Sequence, residues 1–497
     1  MPNDRTGSQT GSQTGHTWRN WMGNLECRPT RQFRPTTLAE LQTIVKQAAD
    51  EGRRVRAFGS GHSWMPLVPT DDFLIDNQGL NRCLEVDKTK HTIRVEGGMT
   101  LRELTVIAQA AGLSVQSPTV ATQFTVAGMV ATGSHGSGMN VETFPDSVVS
   151  MTMVNAKGDV VEIGNDDPDM PFARVALGTL GLIYAVTLSC PPATNIKCTT
   201  KKIPVSEMLG QLQAIVHGHD CVMLMWYPYT KNVIAMYYDK TDEPLTFGPL
   251  RHRLNALVQY IVEGVIGRPF LALTLKISPR LMKWPMRLAS ALTPQSVKVE
   301  TQIDGVHWQF VYPLVWDSSW AVPLADAADA WRVWMEEIDA FQQRDVYPIT
   351  MVMFARFVKA SGSPLSPAYG RDTCFVEATS LKETPGTIDY YQAVEDKMIA
   401  RFDGRPHWAK YFHDLDRVRE QSRDSLIATE AVRKRWDPDG RFMNTFLAKV
   451  FAPFDSHRHH IDTGHIDTGH IDTGNIDPDL IDTAAVAAID TAGVDDE

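Results

Sequence analysis

The chain has 497 residues, 43% of them hydrophobic and 22% charged, with a net charge of −11. That balance is ordinary for a globular protein, and the length allows two or three domains. From Pro453 onward there are eleven acidic residues and one basic residue, Arg458, so residues 1–452 sum to −1 and electrostatic nucleic-acid binding is excluded.

Residues 1–16 repeat GSQT, lack the apolar core of a secretory signal, and read as a disordered tail. "TTLAELQTIVKQAADEG" is a helix with a capping box from Thr37 to Glu40 and a stop at Gly52. "RRVRAFGSG" is a strand running into a glycine turn, and "HTIRVEGG" is a second strand. "MTLRELTVIAQAAG" repeats the helix logic, with Thr100 and Glu103 as the box and Gly112 as the stop. "TVAGMVATGSHGSG" leads to a hairpin, "VVSMTMVNAKGDVVEIG", that turns at Lys157–Gly158. The apolar run "VALGTLGLIYAVTLSC" then closes a first domain near Cys190. Strands alternating with capped helices indicate an α+β or α/β arrangement.

A second region holds long strands such as "CVMLMWYPYT" and "YPITMVMFARFVKA". They alternate with helices such as "ADAADAWRVWMEEIDAFQQ", which predicts a sheet covered by helices. The apolar stretch Leu257–Ile277 is broken by Glu263, Arg268 and Pro269, and reads as a cap or core helix rather than a membrane span. Peripheral membrane contact through Trp284, Met286 and nearby basic residues is a further reading. From His460 the chain repeats HIDTG three times, too short a period for a solenoid, and residues 453–497 read as a disordered acidic tail. Six cysteines without a CxxC pair make no disulfide framework and suit a reducing, cytoplasmic compartment.

"VRAFGSGHSW", residues 55–64, carries the first chemistry. No lysine follows for a Walker loop, and Trp64 stands where a dinucleotide fingerprint needs its third glycine. A nucleophile elbow would put serine at position 61, and no partner residues complete a metal site. What remains is a loop whose backbone N–H groups can cradle an anion such as a pyrophosphate. A second glycine-rich loop, Ala131–Gly138, reads the same way, and two such nests suggest a large phosphate-bearing cofactor. Two tight turns with incidental histidines are the alternative.

The motifs "RAFGSGHSW", "VEGGMTLREL", "TVAGMVATGSHGSG", "ALGTLGLIYAVTL", "MWYPYT", "LSPAYGRDTC", "RPHWAK" and "DPDGRFMNTFLAKVF" stand in this order between about Arg28 and Phe451. Together they resemble the FAD-linked oxidases of the vanillyl-alcohol-oxidase type, in the aldonolactone and alditol oxidase branch. The resemblance implies an α+β fold with a two-subdomain, PCMH-type FAD-binding domain over 25–192. A substrate (cap) domain with an antiparallel sheet covered by helices would span 196–404, and a closing segment 405–452. It implies that Arg56, Ala57, Phe58, Gly59, Ser60, Gly61, His62 and Ser63 hold the FAD pyrophosphate through backbone amides, with His62 as a single covalent tether. Gly128, Thr132, Ser134, His135, Gly136 and Ser137 would line the other side of the flavin, and Ile183 the adenine end. Hydride would pass from a carbinol of a sugar-derived lactone or a polyol to the flavin, and O2 or another acceptor would take the electrons. Lys410 would serve the flavin's anionic end and Arg356 the substrate, with Thr379 as a further contact.

Two departures from the family pattern stand out. Family members commonly carry Glu-x-Arg where this chain reads Phe354-Ala355-Arg356, so the usual substrate acid is missing. Glu377 lies two residues before Thr379, on the same strand face, and is the candidate replacement. Thr119 occupies a position where bulk blocks oxygen, which predicts slow reaction with O2 and some dehydrogenase character. The competing readings are an alditol oxidase, an oxidase of a more apolar alcohol, a nucleotide-sugar reductase using NADPH, and a degenerate non-catalytic flavoprotein. No metal is implied.

Overall fold

Residues 16–247, 267–307 and 314–454 are described by a computed structural model, in which the described residues up to 452 form one compact unit. At its start a short hairpin pairs β1 (Trp18–Arg19) with β2 (Glu26–Cys27). β3 (Arg31–Phe33), β4 (Val55–Phe58) and β5 (Phe73–Asp76) then form a parallel sheet in the order β3-β5-β4. Parallel neighbours need a crossover, and helix α1 (Leu38–Asp50) provides it. Its Leu41, Ile44, Val45 and Ala48 are buried at helical spacing. The Thr37 hydroxyl accepts from the Glu40 N–H as expected, but the Glu40 carboxylate receives the Thr36 N–H at 2.7 Å, one residue before the box position.

β6 (Cys83–Asp87), β7 (Thr92–Glu96), β8 (Val148–Val154), β9 (Val160–Gly164) and β10 (Leu182–Ser189) make an antiparallel sheet in the order β6-β7-β10-β8-β9. α2 (Leu101–Ala111) packs on it with the full Thr100–Glu103 box and a left-handed Gly112 stop, φ +75°. The hairpin turns as expected, with Gly158 at φ +80°.

The third sheet begins at Asn195. Its strands are β11 (Asn195–Pro204), β12 (Cys221–Trp226), β13 (Asn232–Thr241), β14 (Ser296–Glu300), β15 (Val315–Pro323), β16 (Met353–Val358), β17 (Thr373–Leu381) and β18 (Arg405–Pro406). They run antiparallel in the order β14-β11-β13-β12-β16-β17-β15-β18. Of "YPITMVMFARFVKA" only Met353–Val358 is strand. Helices Ala327–Gln343 and Thr387–Phe402 cover one face, burying Trp331, Trp334, Tyr390 and Tyr391. The Tyr391 hydroxyl donates to the Ala378 carbonyl at 2.8 Å and pins the helix layer to β17. Side chains alternate across a strand, so Arg356 on β16 and Glu377 and Thr379 on β17 point to the opposite face.

The apolar stretch 257–277 falls partly outside the described residues, and its end is a helix, Arg268–Ile277. No helix of the described residues is long and apolar enough to cross a membrane. Of the two residues expected at a membrane contact, Trp284 is exposed but Met286 is buried, because it packs inward with Leu275 and Met282. All six cysteines are free thiols.

Candidate active site

A long cleft runs between the first two sheets and the open face of the third, enclosing about 1960 Å³ of empty space with its mouth included. One wall is the loop that continues β4. Its carbonyls are taken by the chain: Gly59 O by Gln78 Nε2 at 2.9 Å, Gly61 O by Trp21 N at 2.9 Å, and Ser63 O by Asn20 Nδ2 at 2.9 Å. The N–H groups of Ser60, Gly61, His62 and Ser63 donate to nothing among the described residues. The loop therefore turns its amides one way and its carbonyls the other, which makes an anion nest. Close packing requires glycine here, since a Cβ on Gly59 would sit 1.9 Å from Thr125 Oγ1. Gly61 holds φ +67°.

The Arg56 side chain, also at the cleft, has a role the sequence did not suggest. Its guanidinium donates to four carbonyls, those of Leu67, Leu177, Gly178 and Phe442, so its side chain clamps the loop. In the second glycine loop the chain takes four of the amides. Gly133 N donates to Val130 O, Ser134 N to Met129 O, Gly136 N to Ser117 Oγ and Gly138 N to Phe357 O. Gly136 and Ser137 do not line the cleft. Gly136 lies against Pro118, and Ser137 Oγ joins Val222 O to the Phe357 N–H, stitching the loop to β12 and β16. Gly128, Thr132, Ser134, His135 and Ile183 do line the cleft, as do Ala57 and Phe58.

His62 stacks on Trp21, ring centroids 4.7 Å apart, with Phe124 edge-on at 5.2 Å. Burial, then the nearby Lys410 charge, lowers its pKa to about 4, so the ring is neutral near pH 7. The next residue but one, Trp64, joins this loop to the third sheet. Its Nε1 donates to Val315 O at 2.9 Å, its N–H donates to Ala409 O at 2.8 Å, and the Lys410 ammonium lies 4.7 Å from its ring centroid.

The far end of the cleft holds four charged groups. Arg356 Nη2 donates to Glu377 Oε2 at 2.8 Å. Lys410 Nζ bonds Asp317 Oδ2 and lies 3.8 Å from Glu377 Oε2. β18 and the turn after it bring Lys410 here: His407 N donates to Ser319 O and Tyr411 N to Asp317 O, so the segment lies along β15. Burial alone would raise the Glu377 carboxyl, but the charges of Lys410 and Arg356 outweigh it and hold the group below its usual value. Asp317 moves the other way. Burial, then the Glu377 charge, pushes it up to about 7, against the pull of Lys410. Asp317 Oδ1 is buried and has no partner among the described residues. His407, at the same end, is lowered to about 3 by burial and then by Lys410.

The structure thus brings Arg356, Glu377, Thr379 and Lys410 to one end of the cleft, with Phe354 in the wall and Thr119 buried nearby. One neighbour, Asp317, and one contact, that of His135 with Phe375, were not apparent from the sequence. Asp317 is a lone acid in the otherwise uncharged strand "VWDSSWAVP", which is the signal that marks it. His135 stacks on Phe375 at 3.5 Å, a contact between residues 240 apart that no local pattern announces.

The sequence profile of the D-arabinono-1,4-lactone oxidase family matches residues 186–450, and the FAD binding domain profile matches residues 29–164. The chain belongs to the D-arabinono-1,4-lactone oxidase family. It is an FAD-dependent oxidoreductase, and the unpaired amides of the β4 loop suit the pyrophosphate of FAD. Relatives in this family include L-gulonolactone oxidase of Scyliorhinus torazame, 30% identical over 88% of this chain and 98% of its own. The L-gulono-1,4-lactone dehydrogenase of Mycobacterium tuberculosis is 30% identical over 88% of this chain and 99% of its own. The solved structure of cholesterol oxidase from B. sterolicum superposes with a TM-score of 0.74, covering 91% of this chain and 99% of that one. At 16% identity that likeness shows the fold alone, the PCMH-type FAD-binding fold.

Proposed function

We propose that the chain oxidises a CH–OH group of a sugar-derived 1,4-lactone, and that Asp317, Arg356, Glu377 and Lys410 do the work of the protein in that step. The observation that carries this reading is the convergence of those four groups at one end of the FAD cleft in a chain of this family. FAD, when bound, supplies the hydride acceptor. Arg356, steadied by Glu377, donates its remaining N–H groups to substrate oxygens. Glu377 thereby takes over the carboxylate role that Phe354 vacates, since the two face each other across the β16–β17 ladder. Lys410 is a fixed cation beside the developing negative charge. Asp317 receives the hydroxyl proton at Oδ1, the buried oxygen without a partner among the described residues. Phe354, Met351 and Val352 give the wall an apolar side, which favours a compact lactone ring over an open polyol.

Anaerobic mixing of the yellow holoprotein with gulono-, galactono- and arabinono-1,4-lactones tests this reading. The flavin absorbance is expected to bleach with at least one lactone and faster than with xylitol or a lipophilic alcohol. Bleaching only by polyols, only by NADPH, or by nothing offered overturns it.

Two finer points belong to the same proposal. His62, neutral and without a hydrogen bond from its ring among the described residues, is suited to a covalent bond with the flavin. Mass spectrometry of the denatured protein is then expected to carry the mass of FAD, and the His62→Ala variant to release it. Thr119 restricts oxygen, so the reduced enzyme is expected to reoxidise slowly in air and quickly with an artificial acceptor. Oxidase-like reoxidation in stopped flow contradicts that. We place the chain in the cytoplasm, where six free thiols remain reduced.

A further inference from the structure

Thr119, Val120 and Ala121 form part of the cleft wall, yet they stand in a stretch, residues 114–124, that is neither helix nor strand. Without a ladder of backbone bonds, the stiffness of such a stretch depends on what its neighbours hold. On one side, Gly136 N donates to Ser117 Oγ at 2.9 Å, and a Cβ at 136 would meet Pro118 O at 2.7 Å, so there is no slack. The Thr119 hydroxyl donates to Ala121 O at 2.6 Å, which ties its polar atom back to the chain. Ser117 sits at φ +47°, a left-handed backbone that serine keeps only where its surroundings over-determine it.

On the other side, the third sheet supplies the grip. The short helix Gln302–Val306 follows β14, the strand at the edge of that sheet. The Gln302 amide accepts from Val115 N at 2.9 Å and donates to Val115 O at 2.8 Å, so one side chain pairs with the loop as a strand would. Val306 and Val120 both pack on the apolar cluster that holds Met223 and Phe354. The next residue, His307, is buried, and its Nδ1 donates to Thr119 O at 3.1 Å. Nε2 of the neutral ring then carries the lone pair, and it is buried with no partner among the described residues. A buried ring that leaves one nitrogen unpaired is retained for the bond the other makes, and that bond goes to Thr119.

We propose that Gln302 and His307 are positioning residues for the oxygen gate: they clasp residues 115–119 from the third sheet and hold Thr119 across the path of O2 to reduced flavin. The inference rests on the reading of Thr119 given above, and extends it to two residues that do not line the cleft. O2 is no larger than the side chain that bars it. A gate one side chain wide therefore works only while its backbone stays still, and a small shift of the loop opens it with no change at Arg356, Glu377 or Lys410.

Two measurements test this. The first is stopped-flow reoxidation of photoreduced holoprotein by O2, read as a ratio to reoxidation by a large artificial acceptor. Thr119→Gly checks the gate itself and is expected to raise the ratio. His307→Leu and Gln302→Leu are each expected to raise it roughly 2- to 10-fold, the effect of losing a hydrogen bond, with flavin content unchanged. His307→Asn, which keeps an N–H near the Nδ1 position, is expected to stay close to wild type. Thr119→Gly with His307→Leu is expected to be no faster than Thr119→Gly alone, because both act through one side chain. The second measurement is hydrogen exchange of the peptide spanning 114–124, expected to be faster in His307→Leu and Gln302→Leu than in wild type. A raised ratio in Thr119→Gly with an unchanged ratio or unchanged exchange in both clasp variants overturns the inference and leaves the gate. An unchanged ratio in Thr119→Gly overturns the gate reading itself, and the inference with it. Additive effects of Thr119→Gly and His307→Leu also overturn the inference. If His307→Leu yields no flavoprotein, Gln302→Leu decides, since Gln302 is only half-buried.

Discussion

Asp317 and Glu377 sit in one buried cluster with the same two cations, yet their pKa values part. Arg356 is committed to Glu377 at 2.8 Å, and Lys410 is shared, so Glu377 stays ionised while Asp317, with one free oxygen, is left near pH 7. Paired acids whose environments push them apart are how a site separates its proton-handling group from its structural one. If Asp317 must be ionised to accept the hydroxyl proton, the rate of anaerobic flavin bleaching falls as pH drops below about 7. The Asp317→Asn variant is expected to be slower by roughly 10²–10⁴-fold and to lose that acid limb. A variant that is slow but keeps the limb would assign it to another group. Only part of this was legible in one dimension. Arg356 and Lys410 were found by motif and Glu377 by strand alternation, but Asp317 meets Lys410 only because β15 and β18 pair.

At the scale of elements, the nest depends on how tightly the β4 loop lies on its neighbour. The Cβ of an alanine at 59 would meet Thr125 Oγ1 at 1.9 Å and Thr125 Cγ2 at 2.7 Å. Gly59→Ala is therefore expected to yield protein with little FAD, measured by the ratio of flavin to protein absorbance. Adding Thr125→Gly removes those atoms and the Thr125 Cβ, which would lie at 2.8 Å, and is expected to restore part of the flavin. If Gly59→Ala alone keeps full flavin, the loop is less constrained than this packing requires. The capped helices and the Gly158 hairpin were legible because their signals are local: a threonine, a glutamate three residues on, a glycine at positive φ. The second glycine loop misled because glycine content reports backbone freedom, not hydrogen-bond state. Four of its amides, those of Gly133, Ser134, Gly136 and Gly138, are taken by Val130, Met129, Ser117 and Phe357, and only the fold supplies those acceptors.

The whole molecule keeps four histidines neutral. His62 and His307 are lowered to about 4, His407 to about 3 and His135 well below its usual value, in each case first by burial. A group with a lowered folded pKa binds its proton more readily when unfolded, so stability is lost as pH falls from about 6.5 towards the folded value. Each contributes up to about 1.4 kcal/mol per pH unit. Asp317 opposes them, because its raised pKa makes the folded state the better proton binder between about 7 and 4. Glu142, Asp339, Glu395 and Asp437, also raised first by burial, join Asp317 towards pH 5, so the four histidines dominate in the upper part of the range and Tm is expected to fall between pH 6.5 and about pH 5.5. A flat Tm across that window would mean that these rings are wetter than the packing shows. By itself, the amino-acid sequence determined the class of fold, the FAD loop and the segments that hold Arg356 and Lys410. Those rest on short-range rules: glycine at a tight turn, alternation on a strand, motifs in order. Tertiary structure decided which way the loop amides face, that Arg56 is a clamp, that Asp317 joins the site, and that Gln302 and His307 reach the Thr119 loop. Each of those depends on which distant backbone or side chain arrives as a neighbour, and sheet pairing across tens to hundreds of residues sets that.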